Sequence, residues 1–224
     1  FMNDRFVFFS SVGFCIILGY LISRKLPSPV INLGLLGVLI LGYFTKTLNR
    51  VPDWENSYTL NVSAIKNSPN SARANLFMST ALFKNYAQRE TDREKKKVLL
   101  QEVKSYVDRS LEIYPNYGSA IKMQVKIATD IYRIESKIEP LLKTFESIIK
   151  IRKTNESIDI YLNHFKSNNS WTKELAAFSY KIGYEYFLKK LGDRQMAVKY
   201  INYGISIDPS DPLLQKAVTE LQGQ

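Results

Sequence analysis

The sequence predicts an all-α chain: two transmembrane helices over residues 1–50, then an α-solenoid of stacked helix pairs over residues 51–224. Three observations carry that prediction. Two runs near the start, Phe6–Ile22 and Val30–Phe44, hold no charged residue over seventeen and fifteen positions. From residue 51 onward apolar residues recur three and four apart and rarely two apart, which is the helical period and not the strand period. A ladder of small and apolar residues closing on a proline, Gly192, Ala197, Ile201, Gly204 and Pro209, has counterparts at Val103, Val107, Ser110, Pro115 and again at Ala64, Pro69.

The two apolar runs are each close to the ~17–25 residues that cross a hydrocarbon core. The link between them, SRKLPSP, leaves room for a tight helical hairpin and nothing more. A signal peptide fits poorly, because no small-residue cleavage site follows and a second apolar run comes at once. Ser11, Cys15 and Gly19 recur every four residues, and the second run carries Gly34, Gly37 and Gly42. Such small residues let membrane helices approach closely, so further helices are expected against these two. With Phe at position 1 and Arg5 at the edge of the first span, the chain reads as the tail of a longer polytopic protein. Arg24 and Lys25 on one side balance Arg5, Lys46 and Arg50 on the other, so charge does not orient the hairpin.

After the membrane, helices are expected from Trp54 to Asn67 with Asp53 as cap, over Ala72–Gln88, and from a Thr91-x-x-Glu94 capping box to Pro115. Ser119–Ile134 and a helix opened by Ser136-x-x-Glu139 follow, then a short, weakly patterned helix between Asn155 and Asn168. Thr172–Leu191, Met196–Ile207 and a terminal helix through Leu221 complete the series. The Gly192 ladder is physically readable. Gly192 ends one helix, Ala197 and Gly204 lie seven apart on one face where a neighbour can approach, and Pro209 stops the run. It resembles the second half of a tetratricopeptide (TPR) repeat, a 34-residue helix–turn–helix unit that buries its apolar face only by stacking.

A wider resemblance rests on NDRFVFFSSVGFC at residues 3–15 and on Arg50-Val-Pro-Asp-Trp-Glu55 followed by Ser57, Leu60 and Ser68-Pro-Asn-Ser-Ala72. These segments resemble the end of the membrane region, and its join to the first repeats, in the transmembrane-and-TPR O-mannosyltransferases and their bacterial relatives, members of the C-type glycosyltransferase superfamily. The resemblance implies transfer of a sugar from a polyprenyl-phosphate donor to an acceptor outside the cytoplasm, in a bacterial relative of that family. It also implies that the catalytic acids sit in a first extracytoplasmic loop that this chain does not contain, so no catalytic residue is expected here. Only Asp4 and Arg5 match the family motif near the reaction side, and Arg5 is a candidate partner for a lipid phosphate. Two readings follow: the membrane and TPR region of a glycosyltransferase that recruits acceptor protein, or a membrane-anchored TPR adaptor for an envelope complex without catalysis. In the first, the TPR part is extracytoplasmic.

In TPR arrays the first helix of each pair lines the concave groove. That register makes Arg73, Leu76, Phe83 and Lys84, then Lys122 and Lys126, then Tyr180, Tyr184 and Phe187 the candidate groove side chains. The groove would be basic at one end and aromatic at the other, suited to an acidic or Ser/Thr-rich peptide. The net charge of +10, divided +4 over residues 1–50 and +6 beyond, agrees with an acidic peptide or anionic lipid as partner. Nucleic acid is disfavoured, since no compact arginine-rich tract or nucleic-acid motif is present. No cofactor is expected. The lone His164 has no Cys, Asp or Glu cluster at ligand spacing, and the single Cys15 permits no internal disulfide.

Overall fold

The computed structural model describes residues 4–25, 28–153, 155–168 and 170–222, all helix and turn, with no strand among them. The chain divides into two compact units, Phe1–Pro69 and Asn70–Gln224.

The first unit holds α1 (Asp4–Lys25), α2 (Pro29–Arg50), a 3-10 turn (Val51–Trp54) and α3 (Ser57–Asn67). Pro29 opens α2 at a position where its missing N–H costs nothing. The apolar side chains of α2 point outward all round, and no residue of the helix is buried. Among the described residues, the helical run Pro29–Trp54 is the one long and apolar enough to cross a membrane, by length and composition. Ser10–Ile22 is a shorter apolar stretch; the side chains before Ser10 lie outside the described residues. The expected cap at Asp53 is displaced. Asn56 caps α3 instead, accepting from the Tyr58 and Thr59 N–H groups, while Asp53 accepts from the Ser63 hydroxyl at 2.8 Å and ties the turn to α3.

The second unit is a succession of helices. It runs α4 (Ala72–Leu82), α5 (Arg93–Ile113), α6 (Gly118–Glu135), α7 (Ile138–Ile151), α8 (Glu156–Ser167), α9 (Thr172–Tyr180), α10 (Arg194–Ile207) and α11 (Pro212–Gln222). Alternate helices touch: α4 with α6, α6 with α8, α7 with α9, and α9 with α11. Side chains provide the caps, as the four orphan N–H groups of a helix start require. Ser71 accepts from Ala74 N–H, Asp92 from Lys95, Asn155 from Ser157, Asp193 from Met196 and Asp211 from Leu214. Thr91 and Ser136, expected as caps, do not serve. Asp92 takes the first role one residue later, and Ser136 sits in the left-handed region (φ 56°), closing α6.

Several side-chain bonds in this unit join residues far apart in sequence. Ser110 donates to the Ala72 carbonyl, Arg152 to Asn116, Trp171 to Tyr132, Lys181 to Glu146, Tyr203 to the Leu162 carbonyl and Lys189 to Glu220. All of these bridge 31 to 41 residues of sequence, with Arg194 to the Leu221 carbonyl shorter at 27. Helices distant in sequence are thus tied to one another by side chains. The core behind these bonds gathers Ile138, Leu141, Phe145, Ile158, Leu175 and Tyr200.

The ladder residues do what their size suggests. A Cβ on Gly204 would stand 2.8 Å from Ser179 Cβ and from Leu214 Cδ1, so α9, α10 and α11 meet there. Ala197 is fully buried, and its carbonyl lies 3.1 Å from where a Cβ on Gly183 would be. Two helices widen into π geometry at their C-terminal ends, α4 through Phe83–Ala87 and α9 through Lys181–Lys190.

Candidate functional site

A cleft of 340 Å³ opens between α4 and α6. Its α4 wall is Leu76, Phe77 and Thr80; its α6 wall is Ser119, Lys122, Met123 and Lys126, with Tyr117 at the helix entry. These positions follow from helical geometry. Arg73, Phe77, Thr80 and Lys84 are spaced at four, three and four, and trace the outward stripe of α4. Lys122 and Lys126 do the same one turn apart on α6.

Three predicted groove residues, Leu76, Lys122 and Lys126, therefore line one surface feature. Arg73 lies beside it, its guanidinium carbon 5.1 Å from the Phe77 ring centroid. Lys84 is exposed one turn beyond Thr80. Phe83, only 2% exposed, belongs to the core beneath, where the Lys126 ammonium sits 4.3 Å above its ring. It cannot offer a face to a peptide, although it steadies a lysine that can. Phe77, 43% exposed, takes the aromatic place instead. Sequence reasoning missed Phe77, Thr80, Tyr117 and Met123. The signal for the first two was the stripe containing Arg73 and Lys84.

Among the described residues Arg73, Lys84, Lys122 and Lys126 form no ion pair, as is true of several other exposed lysines in this unit. The cleft is therefore a part-apolar channel beside four unneutralised cations. Chemically, such a surface holds an extended chain bearing carboxylates and one or two apolar side chains.

The aromatic residues predicted for the far end have structural partners. Tyr180 and Tyr184 stack with centroids 5.0 Å apart at 22°. The Tyr184 hydroxyl donates to Glu220 Oε1 at 2.8 Å, and Lys189 Nζ donates to Glu220 Oε2 at 2.6 Å. The hydrogen bond from Lys189, joined by that from Tyr184, holds the Glu220 carboxyl below its ordinary pKa. Glu220 in turn raises that of Lys189, and burial raises the Tyr180 phenol. The cluster bridges the π segment of α9 to α11. Phe187 is fully buried and stacks on Tyr200 at 5.6 Å and 9°, so it faces the core and not a ligand. The side chain of Arg5, the lipid-phosphate candidate, lies outside the described residues.

Among the described residues no group of three His, Cys, Asp or Glu side chains gathers at metal-binding distance. His164 Nε2 faces the Asn168 amide at 3.1 Å.

With this geometry in place, similarity to known proteins narrows the reading. A stretch of 73 residues, 31% of this chain, is 37% identical to Protein O-mannosyl-transferase TMTC3 of Mus musculus. The match spans only 8% of that protein's length. The relation is distant and partial. No protein-family model matches the chain, and no solved structure matches it.

Proposed function

We propose that this chain is the membrane and helical-repeat region of a glycosyltransferase-like protein, and that its α4–α6 cleft holds the acceptor polypeptide. The observation that carries the binding half is the row of unpaired cations, Lys122, Lys126 and Arg73, beside the exposed Phe77. The membrane half is supported by the apolar helix at Pro29–Trp54 and by the partial likeness to an O-mannosyl-transferase. In this reading residues 1–50 form two spans and residues 51–224 a TPR-like solenoid outside the cytoplasm. The side-chain bonds between helices distant in sequence support the solenoid. Catalytic acids and the polyprenyl-phosphate donor site belong to other parts of the protein, with Arg5 pairing to the lipid phosphate at the membrane surface. The repeat region keeps the acceptor near that site, which raises its local concentration without contributing chemistry.

The test uses the full chain in lipid nanodiscs and a fluorescent acidic peptide carrying one aromatic residue. Capture is expected in the micromolar range and should weaken as salt rises. Lys122→Glu with Lys126→Glu should abolish it while leaving the helical circular dichroism intact, because neither side chain carries an ion pair. Undiminished capture by that double variant would remove the cleft from the proposal. Supplying polyprenyl-phosphate-linked mannose to the full gene product tests the enzymatic half. Transfer to captured peptide is expected; capture without transfer would make the protein a membrane-anchored adaptor.

A further inference from the structure

A second cleft, of 430 Å³, lies between α8 and α10, on residues that neither the groove nor the membrane reading uses. We propose that it is a binding site for a monoanionic sugar, a hydroxylated ring bearing one carboxylate. Its volume falls in the range of small-ligand sites, roughly 300–1,000 Å³. The floor is apolar and fixed. Leu162 and Tyr200 are buried, and Tyr203 is held by its hydroxyl donating to the Leu162 carbonyl at 2.6 Å. One wall is locked by Lys199, whose ammonium donates to both oxygens of Asp159 at 2.8 Å.

The rim is polar and free. The side-chain amides of Asn163 and Asn202 and the ammonium of Lys166 line the cleft without any hydrogen bond or ion pair to the described residues. Ser206 donates to the Tyr203 carbonyl at 2.6 Å, which leaves its oxygen able to accept. Each amide both donates and accepts, the combination that adjacent hydroxyl groups of a sugar satisfy. The partly exposed Tyr203 ring supplies the aromatic carbon that suits the apolar face of a pyranose ring.

Charge selects among sugars. Lys199 is already neutralised by Asp159, so Lys166 is the one cation left to a ligand, and the Asp159 carboxylate stands on the same wall. That arrangement favours a single negative charge. A phosphate dianion would face Asp159 with only one ammonium to compensate.

The experiment is calorimetric titration of the full chain, in lipid nanodiscs free of glycosidic detergent, with glucuronate, glucose and inorganic phosphate. Glucuronate should bind with a Kd of about 1 mM, the scale set by a ligand of roughly a dozen heavy atoms. Glucose should bind about tenfold more weakly, as expected for loss of one charge-assisted contact, and phosphate not measurably. Lys166→Met should reduce glucuronate to the level of glucose. Asn163→Ala with Asn202→Ala should abolish both, with unchanged circular dichroism because those amides hold no protein group. The proposal is overturned if glucuronate binds no better than glucose to the unmodified chain, if phosphate binds as well as glucuronate, or if Lys166→Met leaves the titration unchanged. Peptide capture at the α4–α6 cleft succeeds or fails independently of these results.

Discussion

Gly183→Ala tests the packing logic of the second unit at its tightest point. A Cβ built on Gly183 would stand 2.8 Å from Ile201 Cγ1, 3.0 Å from the Ile201 backbone nitrogen and 3.1 Å from the Ala197 carbonyl oxygen. Carbon atoms in ordinary contact sit about 3.5–4.0 Å apart. Relief must therefore come from moving the backbone of α10, since two of the three atoms belong to it and have no rotamer to change. Overpacking of this kind costs about 1–3 kcal/mol. The alanine returns about 0.5–1 kcal/mol by restricting the unfolded chain. The net destabilisation is about 0–2.5 kcal/mol, which for a domain of this size lowers Tm by up to about 10 °C. The assay is thermal unfolding of the full chain by circular dichroism, with Gly118→Ala as comparison. There the new Cβ would meet the Arg152 guanidinium at 3.2 Å, which can yield by loosening its exposed bonds to Asn116. Gly118→Ala should lower Tm less than Gly183→Ala. A Gly183→Ala protein that melts no lower than Gly118→Ala would refute the claim that α9 and α10 meet through this glycine.

Three further outcomes are expected. Glu146 accepts from Lys150 at 2.6 Å and Lys181 at 2.8 Å; burial alone would raise its pKa, but those two bonds prevail and hold it below the ordinary carboxylate value. A carboxyl with a depressed folded pKa adds stability above its unfolded pKa, about 4.3, and loses it as pH falls through the lower folded value. Urea midpoints should thus decline below pH ~4.3 and do so less steeply in Glu146→Gln; an identical slope in the variant would remove Glu146 from the acid response. Tyr184→Phe should lower Tm slightly by releasing Glu220, and Tyr184→Ala more, since the Tyr180 stack is also lost, an interaction of about 0.5–1.5 kcal/mol. Equal melting of both variants would deny the stack any role. A reporter that folds only in the cytoplasm, fused after Gln224, should be inactive, and activity there would reverse the proposed orientation.

The helix order was legible because period and punctuation agree at almost every boundary. The run expected at Ala72–Gln88 is α4 with its extension to Ala87, and Asp193 caps α10 directly after Gly192, which takes φ +66°. Depth within a stripe was less legible. Leu76 and Phe83, seven apart, share a face, and that face is the core side of the cleft; the solvent stripe through Phe77 lies about 100° round the helix. Phe187 failed for a related reason. Its helix widens to π geometry from Lys181, so a 3.6-residue count carried forward from Thr172 drifts off register before reaching it. Nothing local in Lys-Ile-Gly-Tyr-Glu announces that widening.

Some lysines of the second unit are held in ion pairs between helices and others are not. Lys153 with Asp193, Lys181 with Glu146, Lys189 with Glu220 and Lys199 with Asp159 each join helices distant in sequence, so these cations are held at seams. Exposed pairs of this kind contribute little individually, about 0–1 kcal/mol. Their effect is register, since each also penalises the like-charge contacts that a slipped stack would create. The lysines of the α4–α6 cleft have no such duty. Among the described residues Lys122 and Lys126 make no ion pair, and Lys126 rests on the Phe83 ring. Because that charge is screened over roughly 8 Å at physiological salt, it acts on what enters the cleft more than on the folded body. Raising ionic strength should accordingly weaken peptide capture at α4–α6 well before it lowers Tm. If capture does not weaken as salt rises, the unpaired lysines do not hold the peptide, and the cleft loses the feature that argues for a ligand.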